Sequence, residues 1–237
     1  MTARRLQLRC LPVFIILLLA ESMSGPFAQT PSQSVVSIRL EQKHGDLVRS
    51  VPQNIVFRTG DVLRFRLTSR IAGFLYVLDK GTTGTTVTLF PGAGSAAGNR
   101  IEPNHDYLVP AEGDGWFEVS GPSGFDVLYF LVSDTPIELP TAAPEGQNQE
   151  MPEAPPPPGM LPRCDDAIFK ARGECIDSSA GVVPFAPGAV VPRELVPLTK
   201  TASRDIILTD DGDGTAVQPA SNAKLPFIYT FRLAHRE

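Results

Sequence analysis

The run Asp61-Val62-Leu63-Arg64-Phe65-Arg66-Leu67-Thr68-Ser69 sets Leu63, Phe65 and Leu67 against Arg64, Arg66 and Thr68 with a period of two. Successive side chains of an extended chain point to opposite faces, so this spacing places the apolar set on one face of a sheet and the polar set toward water. Upstream, Val36, Ile38 and Leu40 alternate with Ser37, Arg39 and Glu41 in the same way. Downstream, Gly73 to Asp79 (Phe74-Leu75-Tyr76-Val77-Leu78) and Phe125 to Val132 are apolar in both phases, which predicts central strands covered on both faces. Val87–Phe90, Asp106–Val109 and Trp116–Val119 supply shorter pieces. Gly60-Asp61, Gly81, Gly84, Pro91-Gly92, Gly113, Gly115 and Gly121-Pro122 punctuate them with turn chemistry. No window between Ser34 and Ser133 carries amphipathic helical spacing, so an all-β sandwich or barrel follows.

Beyond Ser133 the composition changes. Between Pro136 and Pro197 lie 13 of the 23 prolines, including Pro155 to Pro158. Proline removes a backbone donor and biases the chain toward extended forms, so this stretch is expected to supply no inner strand and to lie outside the core. Within it, Cys164 and Cys175 enclose room for about two helical turns. Strand character returns at Ile206-Ile207-Leu208, before a turn through Asp210-Asp211-Gly212-Asp213-Gly214. The last run alternates Phe227, Tyr229, Phe231 and Leu233 against Ile228, Thr230 and Arg232, a pattern too regular for a tail. The expected architecture is a single antiparallel β-sandwich, residues 29–139 and 204–237, interrupted by a proline-rich, disulfide-containing excursion over 140–203.

The amino terminus carries Arg4, Arg5 and Arg9, then an uncharged stretch from Cys10 to Ala20 that Glu21 ends. A basic segment followed by eleven such residues reads as an export signal over residues 1–28, too short to span a bilayer, which takes about 20 residues. Cleavage is expected after Ala28 or, alternatively, after Ser24. Gln7 interrupts the pattern that a twin-arginine signal would require. Cys10 precedes the apolar run, so a lipid anchor is not expected. Removing residues 1–28 takes away three arginines and Glu21, and the formal charge moves from −5 to −7, with 18 basic against 25 acidic residues. So acidic a chain does not suit a phosphate backbone, and nucleic acid is set aside as a partner.

Two cysteines remain, Cys164 and Cys175, and an even count in an oxidising compartment reads as one disulfide. A metal pair would sit closer in sequence and bring further ligands, and a redox couple would be Cys-x-x-Cys. Nucleophilic hydrolysis needs a base, yet His44, His105 and His235 sit in no nucleophile-elbow or zinc-helix context. Asp211-x-Asp213-Gly214 resembles part of a calcium loop, but Thr209 stands at its first position and Ala220 where the closing glutamate belongs, and an Asp/Gly hairpin turn explains the same letters. Trp116, Tyr76, Tyr107 and Tyr129 read as core packing or, alternatively, as an aromatic platform for sugars or peptides. No cofactor motif is present.

Taken in order, Phe57-x-x-Gly60-Asp61-x-Leu63-x-Phe65-x-Leu67-x-Ser69, Gly73-Phe74-Leu75-Tyr76-Val77-Leu78, Leu89-Phe90-Pro91, Asn99-Arg100-Ile101, Tyr107-Leu108-Val109-Pro110 and Phe117-Glu118-Val119-x-Gly121-Pro122-x-Gly124 resemble the bacterial domain-of-unknown-function 4384 family over roughly residues 45–135. The resemblance implies a β-rich module of a kind found in exported chains and beside peptidase-like or kinase domains. It carries no catalytic residues across. The expectation is therefore an exported, non-enzymatic accessory or binding module of the bacterial envelope, with a protein or surface polymer as partner and no membrane span after signal removal. The alternative is an envelope hydrolase of glycan or peptide working through a carboxylate pair, which needs two acids converging on a cleft.

Overall fold

The computed structural model describes residues 35–92, 98–111, 114–138, 161–185, 191–193, 195–196, 202–203, 206–210, 214–220 and 225–237. The expected export signal over residues 1–28 lies outside them. Among the described residues, fourteen strands and one short helix follow in chain order: β1 (Val36–His44), β2 (Leu47–Val51), β3 (Phe57–Arg58), β4 (Val62–Ser69), β5 (Gly73–Lys80), β6 (Thr86–Phe90), β7 (Arg100–Ile101), β8 (His105–Val109), β9 (Phe117–Glu118), β10 (Gly124–Ser133), α1 (Ala167–Ala171), β11 (Gly181–Pro184), β12 (Ile206–Asp210), β13 (Thr215–Pro219) and β14 (Phe227–Arg236).

They build two packed sheets. The first runs β12-β13-β1-β4-β8, with β2 also on β1 and β9 on β4. The second runs β11-β14-β10-β5-β6, with β3 on β14 and β7 on β5. The alternating runs behave as period two demands: Val36, Ile38 and Leu40 of β1 and Leu63, Phe65 and Leu67 of β4 enter the shared core, and so do Phe227, Tyr229, Phe231 and Leu233 of β14. Phe65 ties the layers together, its ring 4.8 Å from Phe231 and 5.7 Å from Phe130 across the sandwich, both edge to face. Pairing is antiparallel with one exception among the described strands: β3 runs parallel to β14, through Phe57 with His235 and Arg58 with Arg236. That corrects the purely antiparallel expectation. The two residues of β3 lie just ahead of a turn that reverses the chain into β4.

Two glycines are conformational necessities. Gly60 (φ +92°) occupies the third position of the turn in which Asp61 N–H donates to Arg58 O at 3.0 Å, a left-handed position that disfavours other residues. At Gly73 a Cβ would stand 2.5 Å from Ser133 O, so only glycine lets β5 start against the end of β10. Pro91 and Pro110 immediately follow the last residues of β6 and β8, where a missing donor costs the ladder nothing.

The proline-rich region departs from expectation. Among its described residues it supplies no inner strand, but β11 joins the edge of the second sheet, pairing Gly181 to Pro184 with β14. Phe185, Leu195 and Ala202 are buried against Tyr76, Leu78, Tyr129, Leu131 and Ile228, the outer face of that sheet. The reason is simple: β5 and β10 are apolar in both phases, so an apolar outer face needs a cover, and scattered large side chains suffice without any period. Between the cysteines, α1 is five residues long, shorter than the two turns expected, capped by Asp166 Oδ1, which accepts Ile168 N–H at 2.7 Å.

Candidate functional site

Cys164 and Cys175 are joined, with Cα atoms 4.8 Å apart. The loop they close is bound to the sandwich rather than hanging from it: Cys175 O accepts Val56 N–H at 2.8 Å, Asn54 O accepts Asp177 N–H at 2.9 Å, and Cys175 is buried with Val56, Phe125, Ala180 and Ala234. Asp177 knits it internally. Burial alone would raise its pKa, but hydrogen bonds from Ser179 and from Arg163 N–H, with the Arg232 charge nearby, hold it below the usual carboxylate range.

Beside this loop, a cleft of about 510 Å³ opens where the edges of the two sheets diverge. Its walls are Ser50 to Asn54, at the end of β2 and beyond; Ala180 to Val182, entering β11; Leu208 to Asp210 of β12; and Gly214 and Thr215 at the start of β13. The geometry arises from β1, which gives the same edge to two partners, residues 36–38 to β13 and residues 40–44 to β2. Gln53 fills the gap between them, its Nε2 donating to Ile38 O at 2.8 Å and its Oε1 accepting from the Thr215 hydroxyl at 2.9 Å. The lining mixes backbone, hydroxyl and amide groups with Val51, Val182 and Leu208, and among the described residues Asp210 is its one ionisable side chain.

The solvent face of the first sheet carries a charge network that the sequence reading passed over. Glu41 on β1 receives Arg64 Nε at 2.5 Å and Arg66 Nε at 2.7 Å, and Arg66 reaches on to Asp106 at 3.2 Å. Burial pushes Glu41 up, yet the hydrogen bonds and charges of Arg66 and Arg64 outweigh it and hold the carboxyl below its ordinary value. Asp106 is lowered too, first by the Thr68 hydroxyl, against burial, and then by Arg66. Trp116 lies under the Arg64 guanidinium at 4.1 Å, with Lys43 Nζ at 5.6 Å.

The aromatic residues considered for a platform are dispersed. Tyr76 and Tyr129 are buried under the proline-rich segment, Tyr107 packs beside Phe90 in the main core, and Trp116 sits on the opposite sheet's solvent face. The histidines are dispersed as well: His44 and His105 lie at opposite ends of the first sheet, exposed, and His235 is fully buried at the end of β14. Asp211 and Asp213 lie outside the described residues. Among the described residues no group of three or more His, Cys, Asp or Glu is placed to hold a metal ion, and no helix is long and apolar enough to cross a membrane. Two carboxylates do meet, Asp79 and Asp126, but they face the core and Asp79 Oδ1 is sealed from solvent.

Fold and geometry thus define a two-sheet β-sandwich with a disulfide-anchored cover and a cleft at the sheet edges. Residues 56–136 match the family model described as Domain of unknown function (DUF4384). No curated protein and no solved structure matches the chain.

Proposed function

We propose that the chain is an exported, non-enzymatic accessory module of the bacterial envelope that binds a protein or surface polymer in the cleft between its sheet edges. The supporting observation is where the cleft comes from. Every residue lining it lies outside 56–136, so the family segment supplies scaffold and the recess belongs to what surrounds it. Function resides in sites grafted onto folds, and a recess of several hundred Å³ is the size that holds a small ligand or a few residues of a polymer. With one carboxylate and otherwise neutral polar and aliphatic groups among the described lining residues, the cleft suits an uncharged glycan or an extended peptide better than a polyanion. Export is supported by the basic and then apolar amino terminus and by a disulfide, which persists in oxidising compartments.

The test uses the purified mature protein, immobilised, with fractionated envelope protein, peptidoglycan and lipopolysaccharide as probes. Thr209→Trp and Asp210→Arg block the cleft from exposed positions on β12. The expected result is saturable retention of one fraction, weakened about tenfold or more by both substitutions at an unchanged melting temperature. Equal retention by the blocked variants rules out the cleft. Export is checked by terminal sequencing, which should find Gln29 or Gly25 first in the extracytoplasmic fraction; an intact Met1 on cytoplasmic protein refutes it.

A further inference from the structure

Three ionisable side chains enter the inner face of the second sheet at one end. On β5, Asp79 shares the phase of Leu75 and Val77; on β10, Asp126 shares that of Leu128 and Phe130; on β14, His235 shares that of Phe231 and Leu233. Leu128 pairs with Asp79 and Asp126 with Leu233, so each acid or histidine is offset from its neighbour by two residues and the three form a diagonal row centred on Asp126.

The members are unequally satisfied. Asp126 Oδ1 accepts Thr82 N–H at 2.8 Å and lies 3.3 Å from His235 Nε2. His235 is fully buried, and neither ring nitrogen makes a hydrogen bond among the described residues. Asp79 Oδ1 is buried with no donor at all among them. An acid whose buried Oδ1 has no donor, beside a second carboxylate, holds its proton to higher pH than usual: burial first, and then the Asp126 charge, push Asp79 up to about 7. Among the described residues no other charge faces the row. On β5, Lys80 follows in the opposite phase; on β6, Asp79 meets Val87 and Lys80 meets Thr86; the turns at residues 81–85 and 121–123 carry only Gly, Thr, Pro and Ser. On β14, Arg232 and Arg236 are in the opposite phase to His235. From the first sheet, Asp61 is occupied by Arg58 N–H, and Glu118 is exposed.

We propose that this row is a pH-sensitive latch: with the Asp79 carboxyl protonated this end of the sandwich is closed, and ionisation of Asp79 against Asp126 loosens the strand ends and the turn that Asp126 holds. Thr82 is the mechanical link, because its N–H is bound to the acid that Asp79 repels. The direction is opposite to ordinary acid unfolding. A native value raised above the unfolded 3.8 means the folded chain retains a proton the unfolded chain releases, so the closed form loses ground as pH rises from about 4, with the full penalty above about 7.

Hydrogen exchange of the full mature chain between pH 5.5 and 8.5, corrected for intrinsic rates, reads the latch directly. Peptides over residues 79–86 and 124–127 should open about tenfold more at the upper end, while those over β4 stay flat, and Asp79→Asn should abolish the rise. A flat wild-type profile, or the same rise in Asp79→Asn, overturns the proposal. Carbon-13 NMR of the Asp79 carboxyl supplies a second reading that needs no variant: a midpoint near 7 is expected, and one below 5 overturns it. Asp126→Asn should move that midpoint down, and an unmoved midpoint means the two acids are not coupled.

Discussion

The segment that matches the DUF4384 family model and the rest of the chain meet along a seam that runs through both sheets. In the first, β4, β8 and β9 fall within residues 56–136, while β1, β2, β12 and β13 do not; in the second, β3, β5, β6, β7 and β10 fall within, while β11 and β14 do not. The seam is therefore β1 against β4 and β14 against β10, each a ladder of eight or nine paired residues in the middle of its sheet, with the two-residue β3 also on β14. Taken alone, the family segment would expose two long strand edges and half an apolar face. What completes it also brings the cleft, the disulfide and the cover of the outer face. The lesson is that the shared part is a scaffold that must be closed by its neighbours, and the closing pieces are free to differ.

The harshest test of that dependence is to remove β14. A chain ending at Pro226 loses Phe227, Tyr229, Phe231 and Leu233 from the core, at about 1.5–3 kcal/mol each, together comparable with the net stability of a domain. No cooperative thermal transition should remain by circular dichroism. If the shortened chain melts like the full one, the family half stands alone and the comparison fails. Exchanging residues 140–203 for a Gly/Ser linker should be severe rather than fatal. Loop closure itself costs little, but β11 goes, and Tyr76, Leu131 and Ile228 lose the cover of Phe185 and Leu195. The melting point should fall by well over 10 °C, with gain of dye-binding apolar surface; an unchanged melting point would show the cover to be energetically idle.

Much of this architecture is legible in the sequence, because a period of two is a strong signal. Leu63, Phe65 and Leu67, and likewise Phe227 to Leu233, announce their faces, and β5 and β10 announce two-sided burial through apolar residues in both phases. The cover was not legible: Phe185, Leu195 and Ala202 have no period, and prolines around them look like linker. The cleft is set by β1 dividing one edge between two partners, a matter of long-range register that no local pattern encodes. The latch row could have been found by counting phase, since Asp79, Asp126 and His235 each fall in step with the inward residues of their strands; an ionisable residue in the apolar phase was the signal.

The disulfide tests the seam from the side of the cover. Because Cys175 O accepts Val56 N–H and its side chain is buried against Phe125, opening the loop loosens the approach to β3 as well as the loop. Replacing Cys164 and Cys175 by Ser should cost about 2–3 kcal/mol in urea unfolding. A cost below about 0.5 kcal/mol would mean that the hydrogen bonds hold the loop without the bridge.

Glu41 crosses the seam in the first sheet, from β1 to Arg64 and Arg66 of β4. Glu41→Gln should cost about 1–2 kcal/mol at pH 7. The pH dependence has a definite sign. A carboxyl held below its ordinary value of 4.5 stabilises the fold fully above that pH, and the stabilisation is lost as pH falls through the lowered native value. The difference between wild type and variant should therefore shrink between pH 5 and pH 2. A difference that does not change with pH would assign the effect to packing of the side chain.

The smallest expected effect sits at the centre of the second seam and has the opposite sign. Tyr229 of β14 stacks on Phe130 of β10, centroids 5.1 Å apart and planes within 2°, with Phe227 behind it at 6.1 Å. Its ring does the work of a core phenylalanine, yet its hydroxyl is fully buried and has no hydrogen-bond partner among the described residues. Burial also drives its pKa well above 10, so the group is a neutral phenol and offers no charge to either half. Tyr229→Phe keeps the stack and removes the orphaned oxygen, and it should stabilise the protein by about 1 kcal/mol, the desolvation cost of an unsatisfied hydroxyl. The ring is then what joins the halves, and urea unfolding should show a higher midpoint at an unchanged slope. If the substitution instead destabilises by a similar amount, a bound water satisfies the hydroxyl, and the seam is held by a polar contact as well as by stacking.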